Sequence, residues 1–183
     1  YTVEHTLSLH DALPIYALTG YSAIGHLLHY WMGVSGTVFA AADRPRAVAE
    51  AVEKINDNNL RLIDLLALSP AEIICMGDNF SSDVQSPGFF NAWSRDYYRE
   101  AIRRLRAAGK HVAVHMDGRL RGALRMIRDC GADCCDAATP APFGDLTPAE
   151  CRDEAGPDFI LSGGVPPNLW LPDVPLEAFR KSV

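Results

Sequence analysis

The stretch His111-Val112-Ala113-Val114-His115-Met116-Asp117-Gly118 decides the reading of the fold. Its first four residues make a short apolar run of strand type. Arg119-Leu120 with Leu124 and Ile127 then carry the spacing of an amphipathic helix. Between the two, a His, an Asp and a Gly are released into the strand exit, and in α/β proteins that exit is the active-site edge. The same grammar recurs on both sides. Ile73-Ile74-Cys75-Met76 ends in Gly77-Asp78-Asn79, Asp133-Cys134-Cys135 in Asp136-Ala137-Ala138-Thr139, and Phe159-Ile160-Leu161 in Ser162-Gly163-Gly164. Four strands delivering polar or glycine residues at their C-terminal ends predict one shared site on one face.

Helices fill the intervals. Asp43 before Arg44-Pro45 opens one in which Val48, Val52, Ile55, Leu62, Ile63 and Leu66 recur at helical spacing, and Ser69-Pro70 closes it. Ser86-Pro87 makes an N-cap and first-turn proline for a helix that buries Phe90, Trp93, Tyr97, Ala101 and Leu105, with Gly109 suited to follow its C-cap. A third ends at Cys130-Gly131. Thr147-Pro148-Ala149-Glu150 is a capping box, and Asp173-Val174-Pro175 begins a last helix. Strand and helix alternate throughout, which argues for a parallel sheet with helical crossovers. Strand starts roughly 20 to 40 residues apart suit a (β/α)8 barrel, of which about four parallel strands, the C-terminal half, are expected here. A doubly wound open sheet is the alternative, but no G-x-G-x-x-G follows any strand.

Bulk properties narrow the function classes. With 183 residues, 17 Lys+Arg against 23 Asp+Glu and no basic stripe, the chain does not read as a nucleic-acid binder. No apolar run reaches the ~20 residues of a membrane span, since Ile24 to Phe39 is interrupted by His26, His29, Gly33, Ser35 and Gly36. Five cysteines, an odd number with Cys134 and Cys135 adjacent, suit a reduced cytosolic chain better than a disulfide framework. Cys130, Cys134 and Cys135 have no second CxxC-like pair beside them and read as small buried hydrophobes rather than metal ligands. Both ends look cut, with Tyr at position 1 and a stop shortly after a helix begins. Residues 1–15 show no sustained period, and Thr6 to Ile15 resembles the translated read-through of a sequencing adapter. The segment is therefore set apart from fold reasoning, residues 16–183 being the partial barrel. A genuine N-terminal segment is the alternative.

Each candidate site residue carries a functional and a plain account. His115 and Asp117 are two apart, so along a strand both side chains point the same way and can share a divalent metal or act as an acid/base pair. The plain account has His115 capping a neighbouring strand and Asp117 capping the next helix. Asp78 and Asn79 add a carboxylate and an amide to the same mouth, or merely form an Asx-turn. Gly163 and Gly164 let a ligand approach the backbone, or make a tight turn. Asp136 and Thr139 touch substrate, or belong to a loop that reverses direction through Pro140 and Pro142. Asp78, His115 and Asp117 are expected to face one cavity.

Taken together, Ala71-Glu72-Ile73-Ile74 with Gly77-Asp78-Asn79, Phe89-Phe90 through Tyr97-Tyr98, His115-Met116-Asp117-Gly118, Thr139-Pro140 and Gly144-Asp145-Leu146-Thr147 resemble the uroporphyrinogen decarboxylase superfamily. The resemblance spans Tyr16 to Val183, the C-terminal half of such a barrel. It implies one of two chemistries. The superfamily's methyltransferases pass methyl groups between methylated corrinoid proteins and thiols, and hold zinc with a His-x-Cys-Gly motif and a later Cys. Asp117 stands where that motif has Cys, and the sequence stops before the last ligand would appear. Zinc accepts carboxylate oxygen as well as sulfur, so His115 and Asp117 are the implied metal ligands. The decarboxylases act on tetrapyrroles without a metal, and Tyr30 and Asn79 loosely match their substrate cleft. The resemblance thus implies a cytosolic enzyme with a small-molecule substrate, zinc and a corrinoid partner protein as candidates. Metal-free tetrapyrrole decarboxylation and a non-catalytic corrinoid- or small-molecule-binding barrel are the other expectations.

Overall fold

A computed structural model describes residues 16–165 and 167–182; the segment 1–15 lies outside the described residues. Five strands form one sheet: β1 Tyr16–Leu18, β2 Ile73–Phe80, β3 His111–Met116, β4 Cys134–Ala138 and β5 Ile160–Gly163. Their spatial order is β1-β2-β3-β4-β5, and every neighbouring pair is parallel. Spatial order that follows chain order is the winding of a (β/α)8 barrel, whereas a doubly wound sheet reverses at a switch point. The fold is α/β and of partial-barrel type. β1 is an addition to the four strands read from the sequence. Three residues are too few to show a period, and Tyr16, Ala17 and Leu18 become a strand only by pairing with Ile73, Ile74 and Cys75.

The helices are α1 Ala23–His26, α2 Gly33–Asp43, α3 Pro45–Ala67, α4 Pro87–Trp93, α5 Arg95–Ala107, α6 Ala123–Arg128, α7 Pro148–Ala155 and α8 Leu176–Ser182. A π turn, Leu27–Trp31, follows α1, and a 3-10 turn spans Pro167–Trp170. Local signals hold at several ends. Ser86 Oγ accepts from the Phe89 N–H, Thr147 and Glu150 close a full capping box, and Gly109 (φ +77°) terminates α5. There Lys110 N donates to Leu105 O and Gly109 N to Arg106 O, the paired bonds of a Schellman end. Other ends depart from the pattern. Asp43 ends α2 instead of capping α3, whose N-cap, Arg44, makes no side-chain bond. The helix read as continuous behind Ser86 breaks at Ser94, a buried hydroxyl that donates to Gln85 Oε1 at 2.6 Å and competes with the helical ladder.

The two faces of the sheet have different fates. Ala17, Ile74, Met76, Val112, Val114, Met116, Cys135 and Leu161 pack with Phe90, Tyr98, Ile102, Leu105, Leu124 and Ile127 in the main core between sheet and helices. Alternation along the strands puts Tyr16, Leu18, Cys75, Ala113, His115, Cys134, Asp136 and Ile160 on the opposite face, the inner face of a barrel. A smaller cluster of Ile24, Leu27, Leu28, Val48 and Val52 seats α1 and the π turn against α3. All five cysteines are free, and among the described residues no helix is long and apolar enough to cross a membrane.

Candidate functional site

His115 is the fifth residue of β3 and sits on the inner face, its side chain 32% exposed. Its register partner on β4 is Asp136, and His115 Nδ1 lies 2.8 Å from Asp136 Oδ2. The pairing is a direct product of parallel register, because residues opposite each other on neighbouring strands project the same way. Cys75 Sγ on β2 is 4.0 Å from the same Asp136 oxygen, and the Tyr16 hydroxyl of β1 hydrogen-bonds Cys75. Cys134, two residues before Asp136, shares the face. Tyr16, Cys75, His115 and Asp136 thus form a chain of contacts across four neighbouring strands.

Asp117 lies just beyond β3. Its Oδ1 accepts from Gly118 N at 2.7 Å and lies 3.2 Å from the Thr139 hydroxyl. It does not cap α6. Leu120 N and Arg121 N instead meet Asp145 Oδ1, at 2.8 and 3.2 Å, and α6 begins only after Gly122, whose φ is +78°. Gly144 makes this arrangement fit: a Cβ there would stand 2.0 Å from Thr139 O and 3.0 Å from Gly118 O, so only glycine lets the two exit loops meet.

The structure places Asp78 elsewhere, correcting its assignment to a cavity with His115 and Asp117. It is 3% exposed and points to the helical side of β2. The Tyr98 hydroxyl of α5 donates to Oδ2 at 2.6 Å, and the Ser22 N–H donates to Oδ1. A Cβ on Gly25 would press directly on that carboxylate. Burial pushes the Asp78 carboxyl up, a shift that the bonds from Ser22 and Tyr98 offset only in part. The residue is a bolt between α1, β2 and α5. At the next position the chain kinks: Asn79 has φ +47° inside a register shift between Met76 and Phe80, and the residue is exposed.

The remaining candidates separate in the same way. Tyr30 lies on the π turn, edge-on to Tyr21 at 5.3 Å and 5.9 Å from His26, and among the described residues no ring contact or hydrogen bond joins it to His115. Gly163 serves strand packing, since a Cβ there would sit 2.8 Å from Ala138 N and O. Gly164 N donates to Ala138 O at 2.8 Å. Both glycines border a cleft of about 340 Å³ with Pro140, Pro148, Cys151 and Val165. Cys75 and Tyr16 were not singled out by sequence reasoning, and Cys134 was read only as a small buried hydrophobe. Period two would have put Cys134 beside Asp136, but Cys75 and Tyr16 needed the sheet register. Burial, with Asp136 next in weight, pushes the Cys134 thiol up to about 11, and burial raises Cys75 as well. Both are thiols rather than thiolates at neutral pH and are poor nucleophiles as they stand. Among the described residues no group of three or more His, Cys, Asp or Glu is arranged to hold a metal. His115 at the end of β3 contacts Asp136, Asp117 on the loop after it contacts Gly118 and Thr139, and among the described residues no hydrogen bond joins the two.

Comparison with known proteins agrees with this architecture. The uroporphyrinogen decarboxylase (URO-D) family matches residues 4–181 of the chain. No curated protein sequence matches. Among solved structures, a methyltransferase from Methanosarcina mazei superposes with a TM-score of 0.70 at 14% identity, over 93% of this chain and 48% of that one. The chain therefore spans about half the length of that structure, and at this identity the likeness is one of fold.

Proposed function

The chain belongs to the uroporphyrinogen decarboxylase family, and from that premise we propose that it is part of an enzyme transferring a methyl group between a methylated corrinoid, carried on a partner protein, and a thiol or similar small acceptor. The observation that carries the reading is the position of His115, half-buried on the inner face at the C-terminal end of β3, with Asp117 on the exit loop directly after it. In a barrel those strand ends hold the reacting groups. His115 and Asp117 would be two protein ligands of a zinc ion; a catalytic zinc commonly takes three. Zinc, when bound, lowers the pKa of a coordinated thiol and so supplies a nucleophilic sulfur at neutral pH. The protein's own part is to hold His115 at the rim and to keep Asp117 in place through Gly118 N and Thr139.

Metal-free decarboxylation of a tetrapyrrole is the second reading. It is favoured by the description of the matching family and by a His–carboxylate pair able to move a proton without a metal. Metal analysis and both assays separate the two. The methyl-transfer reading expects zinc in the purified protein and its loss, together with turnover, in His115→Ala. If the wild type carries no zinc and His115→Ala retains full methyl transfer, that reading is finished. Release of CO2 from a four-ring porphyrinogen would install the second in its place.

A further inference from the structure

We propose that Asp136 is a positioning residue: it holds His115 in the tautomer with the proton on Nδ1, so that Nε2 is the nitrogen presented to the site. The 2.8 Å contact joins Nδ1 to Asp136 Oδ2, and a carboxylate offers only acceptors, so Nδ1 must donate. An imidazole that donates from one nitrogen has its lone pair on the other. The direction is fixed by more than one bond. Asp136 and His115 are register partners on adjacent strands, and immediately after Asp136 the strand deforms. Ala137 takes φ +66°, a conformation unusual for a residue with a Cβ, and the β4–β5 register shifts between Cys135 and Ala138. A break of that kind re-aims the flanking side chains, and strain of this sort gathers at working sites. The Cys75 thiol of β2, on the same side of β4 as His115, reaches the same Oδ2 at 4.0 Å and is itself held by Tyr16.

Asp136 thus acts through His115. The tautomer follows from geometry alone and stands whether the ring later binds a metal or moves a proton. Its consequence for metal affinity rests on the methyl-transfer reading. A carboxylate behind a ligating His orients the ring and raises its basicity, and loss of such a partner typically weakens metal binding 10- to 100-fold.

The test is a long-range 1H–15N spectrum of the 15N-labelled chain at about pH 8, with the His115 signals assigned by their loss in His115→Gln. Wild type is expected to show one neutral tautomer, with Nδ1 protonated and Nε2 bare. In Asp136→Ala, the signals should collapse towards the mixture of a free imidazole. A proton on Nε2 in the wild type overturns the proposal, and so does an unchanged spectrum in Asp136→Ala. The wild-type spectrum decides the matter by itself if that variant fails to fold. In parallel, titration with Co2+ or Zn2+ is expected to show affinity lowered roughly 10- to 100-fold in Asp136→Ala. If the tautomer is as stated but the wild type binds neither metal, the positioning role stands and the metal reading of the site falls.

Discussion

A carboxylate buried as deeply as Asp78 costs free energy when ionised, and its neighbours recover part of that cost. Two donors converge on it, the Ser22 N–H and the Tyr98 hydroxyl. Asp78→Ala removes the acceptor from both and leaves them buried, so a loss of about 2–5 kcal/mol is expected by urea unfolding. Asp78→Asn keeps an acceptor but no charge, and its signature is in the pH dependence. Because the folded state raises this carboxyl, its stabilising contribution is complete below the ordinary aspartate range and disappears as pH rises through the higher folded value. Wild type should therefore lose stability over that window, and Asp78→Asn should show a flatter profile. Equal slopes for the two proteins would dissociate Asp78 from the effect. Sequence could place Asp78 at a strand exit beside His115, since both end apolar runs. Asp78 alternates with Ile74 and Met76 and so shares their face of β2, but that the helices cover this face is decided by the packing of the sheet.

At the scale of single elements, short-range chemistry was the most legible. Thr147 was readable as a cap because the hydroxyl, the proline after it and Glu150 three residues on satisfy one another locally. The Thr147 N–H and hydroxyl, with Arg121, hold the Glu150 carboxyl at about 2. Thr147→Ala should lower stability by about 1 kcal/mol, read as a shift of the urea midpoint at unchanged slope. The loop ahead of α7 makes a sharper demand. Gly144→Ala thrusts a methyl group into the Thr139 carbonyl, where only backbone stands to yield, so the loop must move. The expected cost is about 1–3 kcal/mol. Faster hydrogen exchange at Leu120 and Arg121 should accompany it, because Asp145 leaves with the loop. Protection unchanged at those two amides would show that the loop absorbs the methyl group in place. The start of α6 could not be read correctly, since the turn ahead of it is held by Asp145, 25 positions from Leu120, and Gly122 N donates to Glu154, 32 positions on.

Across the whole molecule, the sheet is sealed on one side only. Its helical face is buried, while Leu18 and Ile160 on the inner face stay 64% and 58% exposed. Among the described residues neither β1 nor β5 has a second strand beside it. Parallel sheets are ordinarily covered on both faces, and open edges invite pairing. The chain as given should accordingly self-associate, with light-scattering mass rising with concentration. A constant monomer mass with one cooperative melt would contradict this. Periodicity and punctuation by themselves determined the alternation of strand and helix, the parallel class of the sheet and several helix ends. Those properties reside in neighbours a few residues apart, where spacing and side-chain type act directly. Only the tertiary structure decided that Tyr16–Leu18 is a strand, that Asp78 belongs to the helical layer, and that Asp136 rather than Asp117 meets His115. Each of those outcomes depends on register between strands distant in sequence. In a sheet, moving by one residue exchanges the faces, so no local pattern can settle which carboxylate reaches which ring.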